Sequence, residues 1–115
     1  MICNVTWWKN KDNEKLFLKA DELYEKGEFS SAFDTFLQAA ENGDTSSMLR
    51  LASMYTCGEG VKCDYDRAED WELKAIKAGD QTGMVNLGIT YRLKGDSESI
   101  FIFFSVGLVI ELERF

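Results

Sequence analysis

A displacement of 36 residues lays this chain over itself, and that self-match constrains its fold more than any other feature. Ala32 falls on Ala68, Leu37 on Leu73, Ala39 on Ala75, Gly43 on Gly79, Asp44 on Asp80, Met48 on Met84, Leu51 on Leu87 and Tyr55 on Tyr91. The clearest copy begins at Met48 and ends at Asp80. Met48, Leu51, Ala52 and Tyr55 have the i, i+3, i+4, i+7 spacing of one buried helical stripe, and Ala68, Trp71, Ala75 and Ile76 form a second. Between them lie Gly58 and Gly60, which accept backbone angles that other residues resist, and Val61, which can tuck an apolar side chain under the turn. Asp66 reads as the N-cap of the second helix, with Glu69 three residues on completing a capping box, and Gly79 as its C-terminal stop.

A helical pair cannot bury its own apolar face, so a pair repeated at this interval stacks on its neighbours. The expected fold is all-α, a short right-handed α-solenoid of antiparallel helical pairs with about two and a half repeats. One domain covers residues 1–115: an N-terminal cap at 1–13, a repeat core at 14–99 and an incomplete final repeat at 100–115. Within the core, helices are expected from Glu14 to Lys26, from Phe29 to Glu41 and from Gln81 to Leu93, besides the central pair. Trp7 and Trp8 precede the first of these. They read either as part of a cap over the open end of the stack or as an aromatic anchor for a partner.

The run Leu51-Ala52, Tyr55, Gly58, Gly60-Val61, Asp66, Ala68, Trp71, Lys74-Ala75, Gly79 resembles the Sel1-like repeat, a relative of the tetratricopeptide repeat. The likeness extends more loosely over residues 14–95. It departs at Glu72, where the family usually has an aromatic and where the preceding copy has Phe36. Either Leu73 and Trp71 take over the packing there, or Glu72 is presented to solvent or a partner. The resemblance implies a binding scaffold without shared catalytic residues. Small free-standing bacterial members are similar to the immunity proteins of contact-dependent growth-inhibition toxin cassettes.

Composition narrows the function classes further. Twenty Asp and Glu against thirteen Lys and Arg give a formal charge of −7, which disfavours a nucleic-acid backbone as ligand and suits a basic partner. The chain has no His, so it lacks the Ser-His and Cys-His nucleophile pairs and the usual zinc donor sets. No enzyme activity, metal or cofactor is expected. Cys3, Cys57 and Cys63 are an odd count without a secretory leader, which reads as reduced thiols in a cytoplasmic protein. Cys57 and Cys63 flank the glycine loop and can come close.

The expected partner-binding residues are Glu28, Asp34, Glu41, Asp70, Trp71 and Glu72, meeting a basic toxin domain. Asp34 aligns with Asp70 across the period, which puts carboxylates at matching places on two helices; the plain alternative is a solvated helix face. A general scaffold or adaptor is the second function class. Residues 100–110, opening on Ile100 and closing on Ile110, are unbroken in apolar character apart from a serine and a glycine. Eleven residues are too few to span a bilayer, which takes about twenty. The run is expected to belong to a truncated or frameshifted tail and to pack against a second copy as a homodimer.

Overall fold

The computed structural model describes residues 2–95, with side chains from Asp12 onward. Five α-helices follow one another and no strand occurs among these residues: α1 (Ile2–Glu25), α2 (Phe29–Glu41), α3 (Thr45–Cys57), α4 (Tyr65–Lys77) and α5 (Thr82–Lys94). Each helix packs chiefly on the next one in the chain, and α3 also touches α5. The period of the sequence is a period of the backbone. α4 begins and ends 36 residues after α2, and α5 follows α3 at the same interval to within one residue.

The turns repeat in the same way. After α2, Gly43 N–H donates to Ala40 O at 2.9 Å and Asp44 N–H to Ala39 O at 3.1 Å; after α4, Gly79 N–H donates to Ile76 O at 2.9 Å and Asp80 N–H to Ala75 O at 3.0 Å. These paired bonds satisfy the last carbonyls of each helix and reverse the chain for the next one. The longer α3–α4 loop is fixed by Gly60 at φ 76°, where an added Cβ would stand 2.6 Å from Phe29 O. Only glycine fits there. Val61 then packs against the core, as its place in the loop suggests.

The core is centred on Phe36, Leu51 and Met54, all buried, with Ala20, Ala32, Phe33, Ala40, Met48 and Ala75 around them. Phe17 of α1 meets Phe36 edge to face, with ring centroids 5.6 Å apart. Alanine at 32, 52, 68 and 75 is fully buried, and these small side chains let the helices approach closely.

Three expectations are corrected. The first helix starts at Ile2 rather than near Glu14, because no glycine or proline interrupts the chain before Gly27; residues 2–13 are therefore part of α1, and Trp7 and Trp8 lie within it. The N-cap of α4 is Asp64, not Asp66. Asp64 has extended backbone angles and its carboxylate accepts from the Asp66 and Arg67 amides at 3.1 and 3.2 Å, whereas Asp66 already belongs to the first helical turn and Glu69 turns toward α5. Glu72 is not presented to solvent: it is 2% exposed. The expected incomplete repeat at 100–115, and the homodimer contact through Ile100 to Ile110, lie outside the described residues.

Candidate partner-binding surface

The six expected contact residues separate into three groups. Glu28, Asp34, Glu41 and Asp70 are exposed, and none makes an ion pair or side-chain hydrogen bond among the described residues. Glu28 is the N-cap of α2, yet its side chain makes no capping bond, while Asp64 at the matching place on α4 makes two. Asp34 and Asp70 take equivalent positions on α2 and α4. The carboxylates that hold the fold together are different ones: Asp21 pairs with Arg50 at 2.5 Å, Glu59 accepts from Tyr24 Oη at 2.8 and 3.0 Å, and Asp44 caps α3 through the Ser47 amide.

Trp71 forms the second group by itself. It is half-buried against the core, and the Lys74 ammonium lies 4.4 Å from its ring centroid, so part of the indole is already occupied by an intramolecular cation.

Glu72 is the third group, and it faces inward. Thr90 Oγ1 on α5 donates to Glu72 Oε1 at 2.7 Å, while Oε2 is buried without a hydrogen-bond partner among the described residues. Burial pushes its carboxyl up to about 7; the Thr90 hydroxyl acts in the opposite direction and the Glu69 charge adds to the rise. Beside it, Lys94 bridges Asp66 at 2.8 Å and Glu69 at 3.0 Å, and these two hydrogen bonds hold its ammonium above the ordinary lysine range. Tyr91 Oη also donates to Glu69, at 3.0 Å. Burial, followed by that hydrogen bond, pushes the phenol up to about 12.

An apolar stripe on α5 complements the acidic positions. Val85, Ile89 and Leu93, spaced i, i+4, i+8, are 64%, 43% and 50% exposed. Leu18 on α1 is exposed too, six residues before Tyr24, just as Val85 stands six before Tyr91. The i, i+4, i+8 spacing is legible in the sequence, beside the repeat positions Met84, Leu87 and Tyr91. A shallow open cleft of about 380 Å³ lies where α1 meets the α2–α3 turn, lined by Asn13, Glu14, Phe17 and residues 42–46. No group of three or more metal-ligating side chains occurs among the described residues, and no described helix is long and apolar enough to cross a membrane.

No protein-family model, curated protein or solved structure matches this chain.

Proposed function

We propose that this chain is a protein-binding helical-repeat module, a short right-handed α-solenoid of about two and a half Sel1-like repeats that takes up the basic surface of a partner. The observation that carries this reading is the state of Glu28, Asp34, Glu41 and Asp70. They remain exposed and unpaired among the described residues, while other carboxylates serve the caps and internal bridges. Unpaired carboxylates on successive repeats raise the encounter rate with a cationic protein and make it sensitive to salt. The partner class that fits is a basic toxin domain, which makes the chain an immunity protein acting in the cytoplasm by direct binding, without catalysis or cofactor. Trp71 supplies an aromatic edge to the contact. Glu72 contributes from behind, through packing.

The second reading is a scaffold or adaptor, favoured by the exposed stripe Val85, Ile89 and Leu93. Contact through that stripe would hold in high salt. Affinity capture from an extract of the source cells, at low and at high salt, with wild type and with an Asp34→Lys/Asp70→Lys variant, separates the two. The immunity reading expects one small basic partner, released by salt and lost with the variant. Larger partners retained by both proteins at both salts would replace it with the scaffold reading.

A further inference from the structure

The α3–α4 loop carries two exposed free thiols, Cys57 at its start and Cys63 near its end. Cys63 rests against both residues that bracket Cys57. Its Sγ donates to Thr56 O at 3.4 Å, and its Cβ stands 3.5 Å from where a Cβ on Gly58 would be. Cys57 Sγ lies 4.0 Å from the Oγ1 of its chain neighbour Thr56. The chain between them is held in this reversal from several sides: Asp64 N–H donates to Tyr55 O at 3.0 Å, Glu59 N–H to Met54 O at 3.0 Å, and the Glu59 carboxylate accepts from Tyr24 on α1. Gly60 is seated on the Phe29 backbone of α2. The fold therefore holds Cys63 against the residues on either side of Cys57, because the loop between the two cysteines is tied to three helices.

We propose that Cys57 and Cys63 are a dithiol modification site that closes to an intramolecular disulfide on reaction with a small-molecule disulfide of the glutathione type. One thiolate attacks the oxidant, whose S–S bond breaks and releases one glutathione thiolate. The second cysteine then attacks the protein–glutathione mixed disulfide, releasing the other. The protein loses two electrons and two protons, and the oxidant becomes two thiols. Exposure of both sulfurs gives the oxidant access. The new bond would join the end of α3 to the lead-in of α4 within the central helical pair.

The test uses the full chain and a Cys3→Ser variant, each equilibrated with oxidised and reduced glutathione, acid-quenched, alkylated, and read by intact mass and peptide mapping. The expected product in both proteins takes up no alkyl group at Cys57 or Cys63, carries the Cys57 and Cys63 peptides joined with the loss of two hydrogens, exceeds the glutathione adducts, and reverts with excess reduced glutathione. Adducts on Cys57 and Cys63 separately with no joined peptide would overturn the proposal. So would a product in which either cysteine is joined to Cys3 or to a second chain instead.

Discussion

The α2–α3 unit and the α4–α5 unit follow one backbone plan, but opposite chemistry holds them together. In the first, Phe36 and Met54 are buried in one apolar cluster, and Phe33 meets Tyr55 edge to face with centroids 5.3 Å apart. Thirty-six residues on, the matching positions hold Glu72 with Thr90 and Glu69 with Tyr91, and each of these pairs is joined by a hydroxyl donating to a carboxylate. Both members of the first pair differ between the units, and in the second Glu69 replaces Phe33 opposite a tyrosine, so each carboxylate of the second unit meets a donor. A buried polar group is tolerated when its partner changes with it and is costly otherwise. The exchange is incomplete at one atom, Glu72 Oε2, which is buried without a partner among the described residues. The buried Glu72 carboxyl therefore gives the second unit a sensitivity to pH at the position where the first has Phe36.

The most severe way to break this comparison is to place the carboxylate of the second unit in the first without its hydroxyl. Phe36→Glu is expected to cost about 4 kcal/mol or more in denaturant unfolding, through a lost aromatic and an unpaired buried acid. Adding Met54→Thr should return part of that loss, because the hydroxyl then faces the acid as Thr90 faces Glu72. If the double variant is no better than the sum of the two single changes, the pairs are not equivalent.

A smaller effect is expected from Thr90→Val, which keeps the shape of the side chain and removes the donor to Glu72. It should cost about 1–3 kcal/mol, and more above pH 7, where Glu72 is ionised, than at low pH. Thermal unfolding at two pH values checks both the size and the direction.

How much of this was legible beforehand depends on where each partner lies in the chain. The helices α2 to α5 and the turns after α2 and α4 were readable because the 36-residue match involves local features, such as Gly43 with Asp44 and Gly79 with Asp80, whereas the start of α1 lies outside that match. The place of Glu72 was not, since its partner Thr90 is eighteen residues away on another helix and nothing local marks the pair. Glu72 differs from Phe36 in the preceding copy, and its burial follows from tertiary packing. Asp64 and Asp66 stand two residues apart and both suit an N-cap; the extended backbone at Asp64 decided between them. The exposure of Glu28, Asp34, Glu41 and Asp70 agrees with their polar character. What they bind is a matter for the capture experiment.

The smallest effect sharpens the comparison at the helix starts. Glu28 and Asp64 occupy matching N-caps, and only Asp64 bonds the amides of its helix. Glu28→Asp should raise stability by about 0.5–1 kcal/mol if the shorter side chain can cap α2 as Asp64 caps α4. An unchanged unfolding midpoint would mean that the backbone at 28, not side-chain length, prevents the cap.

The pH profile of folding stability tests the central contrast most directly, measured by denaturant unfolding of wild type and Glu72→Gln side by side. The Glu72 carboxyl is held at about 7 in the fold against 4.5 for the free group, so the folded state binds the extra proton between those values. Stability from this group is fully present below pH 4.5, falls as pH rises toward 7 and is lost above it. Wild type is expected to lose roughly 3 kcal/mol relative to Glu72→Gln on going from acid to mildly alkaline pH, at about 1.36 kcal/mol per pKa unit. Parallel profiles for the two proteins would contradict the account and show that Glu72 is charged and satisfied in the fold.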